Sequence, residues 1–216
     1  MKRTIVIVDD HPIVRQGFIQ LINMEDDLAV TGQAEDVPGA HREIDEKKPH
    51  MAIIDLSLKD SSGLELIKDL SRLYPDLKML VVSLHDEKVY AERAIRAGAK
   101  GFIMKMEATE NLLTAIREVL NGGVYLSDEM KSRMLERMTR GGNEKVSPIS
   151  VLSDRELEVF QMIGHGTKTS DIADKLCLSV KTVETYKSHL KRKLKLNNSN
   201  ELIQHAVEWT LHKESW

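Results

Sequence analysis

Five side chains that could handle a phosphate or a metal ion stand at the ends of short apolar runs in this sequence. TIVIV runs into Asp9 and Asp10, MAII into Asp55, MLVV into Ser83 and GFIM into Lys105. An apolar run of this length, bounded by turn residues, reads as a strand buried on both faces of a parallel sheet. Open sheets of that kind bind ligands outside the carboxyl ends of their strands. A single Asp at such a place is a turn former or a helix cap more often than a reactive group. Three carboxylates brought together repel one another unless a cation joins them. Hard oxygen ligands with room for water suit Mg²⁺. A carboxylate nucleophile, a divalent ion, an amine and a hydroxyl can together hold a phosphoryl group, with Asp55 attacking while the ion and Lys105 neutralise its oxygens.

The elements that must position these groups follow from the apolar pattern. Strand-like runs fall at 4–8, 28–32, 51–55, 79–83 and 101–104, with helical patterns at 13–24, 39–46, 63–73, 88–97 and 110–121 between them. Five β-then-α units with right-handed crossovers make an α/β fold, a five-stranded doubly wound parallel sheet. In the strand order 2-1-3-4-5 the first and third strands are neighbours, which brings Asp9, Asp10 and Asp55 to one edge. Tyr74–Pro75 stops one helix and Gly98–Ala99 closes another.

After Gly122–Gly123 the pattern changes. An amphipathic helix is expected over 127–140, with Ser127 as N-cap and Met130, Met134, Leu135 and Met138 on one face. The stretch 141–148, GGNEKVSP, is polar and aperiodic, as linkers are. Beyond it everything reads as helix, in a small all-α unit of four helices. Ser153 and Glu156 form a capping box ahead of Leu157, Val159, Phe160 and Ile163. A short helix at 170–178 and a third at 180–195, capped by Ser179, are joined by a tight turn, the helix-turn-helix arrangement that places its second helix in the major groove of DNA. A last helix opens at Asn198–Ser199. The domains expected are therefore 1–122, a linker with its helix at 123–149, and 150–216.

On the third of these helices Lys181, Glu184, Thr185 and Ser188 lie on or near one face and are the candidates for reading base edges, while Lys187, Lys191, Arg192 and Lys193 are candidates for phosphate contacts. Glu184 could accept from cytosine N4 or orient a neighbouring lysine. Val180, Val183, Leu190 and Leu194 supply the stripe that packs the helix.

The charge agrees with this division. The net of −3 hides a C-terminal part, 150–216, with 10 Lys/Arg against 9 Asp/Glu, and an acidic remainder. Six basic residues crowd into 181–195 with only Glu184 opposing them. No apolar run approaches the ~20 residues that cross a bilayer, and MKRTIVIVDD is no secretory signal. The single cysteine, Cys177, excludes an internal disulfide, fits a reducing cytoplasm and reads as a small core residue.

At these residues the chain resembles the two-component response regulators of the NarL/FixJ type. IVIVDDHPIVRQG, IIDLSLKDSSGLEL and VVSLHDEKVYAERAIRAGAKGFIMK are similar to the family's receiver domain, and LSDRELEVFQMIGHGTKTSDIADKLCLSVKTVETYKSHLKRKL to its LuxR-type helix-turn-helix domain. The resemblance implies a cytoplasmic transcription regulator in which Asp55 accepts a phosphoryl group from a sensor histidine kinase. It implies Mg²⁺ held by Asp9, Asp10, Asp55 and the Ser57 carbonyl. Ser83 and Lys105 would then bind the phosphoryl oxygens, Phe102 would be the aromatic whose position follows Ser83, and a homodimer would bind paired DNA half-sites. Two residues depart from the pattern: Lys59 stands where receivers usually have Pro, and Leu84 where many have a very small residue. Both point to altered phosphorylation rates, and they keep open a regulator controlled without phosphate. A Mg²⁺-dependent phosphatase would want a second Asp at Ser57, and no cap insertion is evident.

Overall fold

In the computed structural model, residues 2–58, 61–139, 148–176 and 178–214 are described. The expectations for Lys59, Cys177 and 141–147 of the linker lie outside them. The chain divides into two compact units, Met1–Gly141 and Gly142–Trp216.

The first unit is built on strands β1 (Arg3–Val8), β2 (Leu28–Ala34), β3 (Met51–Ile54), β4 (Lys78–Ser83) and β5 (Gly101–Met104). They pair in parallel in the order β2-β1-β3-β4-β5, the order read from the sequence. Helices α1 (Pro12–Asn23), α2 (Val37–Lys47), α3 (Gly63–Leu73), α4 (Glu87–Ala97) and α5 (Ala108–Leu120) alternate with them. The strands are apolar throughout because both faces are covered. Ile5, Ile7, Met51, Ile53, Leu80, Val82 and Ile103 pack against Ile22 of α1 and Leu112, Ala115, Ile116 and Val119 of α5. Their alternates, Val6, Val8, Ala52, Ile54, Val81 and Phe102, are equally buried on the opposite face.

Register decides where the chemistry goes. Val8 pairs with Ile54 and Ser83 with Met104, so the next residue of each of β1, β3 and β5 emerges at the same edge. The backbone continues the ladder there: Asp55 N donates to Val8 O at 2.8 Å and Lys105 N to Ser83 O at 2.8 Å.

Two features of this unit were not expected. After β3, Ser57–Leu58 pairs antiparallel with Ser61–Ser62 in a short ladder. Gly63 then closes the loop by donating to Leu56 O at 2.9 Å. A Cβ on Gly63 would lie 2.2 Å from the carbonyl oxygen of Asp55, so only glycine lets the loop pass this close. At the far edge Tyr125 bonds both ways to β5, its N to Lys100 O and its O to Phe102 N, so the segment after α5 lies along the sheet edge and covers it. The helix expected at 127–140 follows as α6, Asp128–Thr139. Ser127 Oγ accepts from Met130 N at 3.2 Å, as an N-cap does, and Ser127 N donates to Glu87 of α4. Met130 is buried, whereas Leu135, expected on the same apolar face, is exposed.

The second unit opens on a 3₁₀ turn at Pro148–Val151, then α7 (Asp154–Gly164), α8 (Thr169–Lys175), α9 (Val180–Leu194) and α10 (Ser199–Glu214). The capping box is present: Glu156 N donates to Ser153 Oγ, and Ser153 N to Glu156 Oε2 at 2.7 Å. Phe160, fully buried, meets the rings of His205 and Trp209 of α10. Val183 and Leu190 are buried and Leu194 half-buried, as the stripe predicted, but Val180 is exposed. It occupies the first position of α9.

The closest approach in this unit is α7 to α10. A Cβ on Gly164 would lie 2.6 Å from the Ala206 carbonyl oxygen and closer still to Thr210 Oγ1. Gly164→Ala should therefore destabilise the fold by about 1–3 kcal/mol through overpacking. Gly17→Ala, in α1 with open space around it, should instead stabilise it by about 0.5–1 kcal/mol through helix propensity. Urea denaturation of both variants checks the pair, and equal effects would contradict the packing account.

Candidate functional site

The sheet edge delivers what the sequence promised in part and adds to it. Asp9 and Asp55 are buried, each with a side chain no more than 3% exposed, and Lys105 reaches between them. Its Nζ lies 2.6 Å from Asp55 Oδ2 and 2.7 Å from Asp9 Oδ2. Ser57 N donates to the other Asp55 oxygen at 3.2 Å. Ser83, fully buried, puts its hydroxyl within hydrogen-bonding reach of Asp55 and also accepts from His85 N. Asp10 sits at the mouth, part exposed. The structure thus brings together Asp9, Asp10, Asp55, Ser57, Ser83 and Lys105. Phe102 is placed in the core, 1% exposed. Leu84, a candidate for narrowing access, is 63% exposed.

Three residues in this region were missed by sequence reasoning. His11 Nδ1 lies 2.7 Å from Asp10 Oδ1 and 3.3 Å from Asp9 Oδ1. Its position directly after the acidic pair was the available signal, but a His before a Pro reads as an ordinary turn residue. Arg15 of α1 fixes the Asp9 carbonyl and bonds Gln33 Oε1, so that α1 and β2 hold the backbone of Asp9 in place. His85 Nε2 is 3.0 Å from Ser57 Oγ and bridges the loops after β3 and β4. Nothing in the chain order signals that last contact.

The electrostatics follow from burial with too few positive charges. Burial lifts the Asp55 carboxyl above its ordinary value, with the Lys105 hydrogen bond and charge opposing the rise and the Asp9 charge adding to it. For Lys105 burial alone would lower the pKa, but bonds and charges from Asp55 and then Asp9 outweigh it and raise it above the ordinary amine value. Asp10 Oδ1 is buried and has no hydrogen-bond partner among the described residues, since His11 comes close without hydrogen-bond geometry. An acceptor left bare beside two more carboxylates fits a hard divalent cation.

In the second unit Lys181, Glu184, Thr185, Ser188 and Arg192 are exposed on α9, and Lys191 is half-buried beside them. Ser179 caps the helix by accepting from Thr182 N. Thr185 and Ser188 donate their hydroxyl protons to the carbonyls of Lys181 and Glu184, which leaves their oxygens free to accept from outside. Glu184 is tied to Lys187 at 2.8 Å, and that bond holds its carboxyl below the usual range. Lys187 also donates to Thr169 Oγ1 of α8, so it is drawn inward rather than extended to solvent. Lys193, a phosphate candidate by sequence, instead donates to Glu156 Oε2 at 2.6 Å and fastens α9 to the capping box of α7.

A carboxyl whose pKa is higher folded than unfolded stabilises the fold below the unfolded value and withdraws that stability as pH rises through the folded one. In cation-free buffer Asp55→Asn should thus melt above the parent at neutral pH. Asp9 keeps Lys105 paired in that variant. The gap should close as pH falls toward the ordinary carboxyl value of 3.8. Thermal denaturation across that range checks it, and a lower melting point at neutral pH would contradict the burial account.

Comparison with known proteins agrees with both halves. The response regulator receiver domain family matches residues 5–117, and the bacterial regulatory proteins, luxR family, match 150–206. The oxygen regulatory protein NreC of Staphylococcus carnosus is 35% identical over 209 residues, covering 94% of this chain and 96% of NreC. That of Staphylococcus haemolyticus is 37% identical with the same coverage. RcsB from Salmonella enterica serovar Typhimurium, bound to promoter rprA in the presence of the phosphomimetic BeF3-, matches 96% of this chain and 99% of its own at 27% identity and a TM-score of 0.66. A structure of two RcsB dimers bound to two parallel DNAs matches 94% of this chain and 97% of its own at 26% identity and a TM-score of 0.58. Matched from the first sheet strand into the last helix, with its acids gathered where a receiver needs them, this chain belongs to the NarL/FixJ-type response regulators: a receiver domain followed by a luxR-type DNA-binding domain.

Proposed function

We propose that this response regulator is switched by phosphorylation of Asp55 and that the switch governs promoter binding. The observation that carries the reading is the placement of Asp55: 2% exposed, at the carboxyl end of β3, with Lys105 2.6 Å from one oxygen and the Asp9–Asp10 pair beside it. A carboxylate oxygen of Asp55 attacks the phosphorus of a phosphohistidine on a sensor kinase. The bond to the imidazole nitrogen breaks, and the leaving imidazole takes up a proton. Bound Mg²⁺ would neutralise phosphoryl oxygens during transfer. Asp9, Asp10, Asp55 and the Ser57 carbonyl are the residues to hold it. Lys105 exchanges its bond to Asp55 Oδ2 for one to a phosphoryl oxygen, and the Ser83 hydroxyl donates to another.

The product carries about two negative charges at a place that was already short of positive ones. Ser83 is drawn toward the phosphoryl group, and Phe102, two residues before Met104, the register partner of Ser83 on β5, turns into the vacated space. The face of α4, β5 and α5 changes in consequence, as a bias between two existing states. The domains in this reading are the receiver at 1–122, a linker at 123–149 and the DNA-binding domain at 150–216. The active form is a homodimer on paired half-sites in the cytoplasm, a reading supported by the dimeric RcsB–DNA complex. On DNA, Lys181, Glu184, Thr185 and Ser188 face base edges, while Lys191 and Arg192 meet phosphates and Lys187, tied to Glu184 and Thr169, holds Glu184 in place. The acidic pair and Lys105, all at the acceptor, favour phosphorylation over control without it, and the receiver–luxR family is one of transcription regulators rather than enzymes.

Asp55→Asn should keep the fold and lose acetyl-phosphate-stimulated DNA binding, read by fluorescence anisotropy on promoter DNA. Unchanged stimulation in that variant would remove Asp55 as the acceptor. Lys191→Ala should weaken binding alike on all sequences and lower the slope of log affinity against log salt by about one unit. A loss confined to one base position would contradict a phosphate contact.

A further inference from the structure

We propose that His11 is a ligand for the cation in the acidic cluster, and that its imidazole gives this site a preference for borderline ions such as Co²⁺ and Ni²⁺ over Mg²⁺. The inference rests on the cation reading above and concerns which ion the site favours.

The geometry around Nδ1 is that of one ligand among others. It stands 2.7 Å from Asp10 Oδ1, 3.3 Å from Asp9 Oδ1 and 4.0 Å from Asp55 Oδ2. Ligands bonded at about 2.1 Å to an octahedral ion lie about 3.0 Å apart when adjacent and about 4.2 Å when opposite. Each of the three separations falls near one of those spacings. One ligand atom from each of Asp9, Asp10, His11 and Asp55 lies within 4.8 Å of every other.

His11 is the N-cap residue of α1, yet its side chain makes no capping bond. The neighbouring Asp10 Oδ1 has no hydrogen-bond partner among the described residues, so the short approach of Nδ1 does not serve that oxygen as a donor. The backbone, by contrast, is fixed: His11 N donates to Asp9 Oδ1 at 2.8 Å, which holds the residue over the cluster. Half of the side chain is exposed, so the ring can settle onto an ion without repacking the core.

Donor chemistry then sets the preference. Imidazole suits Co²⁺, Ni²⁺ and Zn²⁺, whereas Mg²⁺ favours carboxylate, carbonyl and water oxygens and keeps several waters. A cluster of carboxylates alone already follows the general affinity order of divalent ions. The nitrogen widens the gap, because it adds a bond for one class of ion and a replaceable water for the other. His11 is thereby a specificity-determining residue of the receiver's metal site.

The test is isothermal titration of the full chain with MgCl₂, CoCl₂ and NiCl₂, for the parent, His11→Ala and Asp10→Asn. Asp10→Asn identifies which binding belongs to the cluster rather than to the other histidines. Losing a direct ligand should cost Co²⁺ and Ni²⁺ no less than the 10–100-fold that a lost outer-shell partner costs. Mg²⁺ affinity should stay within about threefold in His11→Ala. With Co²⁺ bound, one paramagnetically shifted imidazole N–H resonance should be present in the parent and absent from His11→Ala. Equal weakening of all three ions in His11→Ala, or Co²⁺ affinity unchanged there, overturns the proposal while leaving the cation site standing. Failure of the parent to bind Mg²⁺ or Co²⁺ in an Asp10-dependent way overturns both.

Discussion

One buried ammonium holds the first unit's chemistry together. Lys105 lies between Asp9 and Asp55, and all three side chains are withdrawn from water. Removing Lys105 would leave two buried carboxylates uncompensated, a loss of about 3–5 kcal/mol. The arrangement is also incomplete. Two buried acids share one lysine, Asp10 adds a third carboxylate at the mouth, and one of its oxygens has no donor among the described residues. A site in that condition gains from any cation that enters and is perturbed strongly by any anion attached to Asp55. The same imbalance that lifts the Asp55 carboxyl also makes it sensitive to what binds there.

The fold supplies that tension through register rather than through long-range loops. Parallel pairing of β1 with β3 and of β4 with β5 ends each strand at a common edge, so backbone bonds position the acids and the lysine before any side chain acts. Gly63 lets the following loop lie against the Asp55 backbone. At the other edge Tyr125 bonds to the backbone of Lys100 and Phe102, and α6 begins three residues further on. In the proposed switch, a displacement of Phe102 would therefore reach the segment that leads out of the receiver by way of two hydrogen bonds. The α4 contacts of that segment, Ser127 to Glu87 and Lys88 to Glu129, are the polar bonds that such a displacement would strain.

Much of this was legible in the sequence because the informative signals were local. TIVIV, MAII and MLVV announced buried parallel strands by their lack of alternation, and the strand order is the one expected of a doubly wound sheet. The capping box at Ser153 and Glu156 and the cap at Ser179 were equally local and were found in place. What escaped notice depended on contacts between distant segments. His85 meets Ser57 across 28 positions, and Lys193 meets Glu156 across 37, so no spacing rule announces either. Lys193 shows the physical limit well: a basic residue on a helix expected to face DNA reads as a phosphate contact, yet here it is bonded to the buried Glu156 carboxylate. Val180 and Leu135 were misjudged for a related reason, since a helical stripe says which face is apolar but not where the neighbouring element ends.

The account stands on Asp55 as the acceptor, and acyl phosphates allow that to be read directly. After incubation of the full chain with acetyl phosphate and Mg²⁺, borohydride cleaves an aspartyl phosphate and leaves homoserine in its place, which peptide mass spectrometry locates. The result predicted is homoserine at position 55 alone. Reduction at another aspartate, or at none while DNA binding still responds to the phosphodonor, would contradict it.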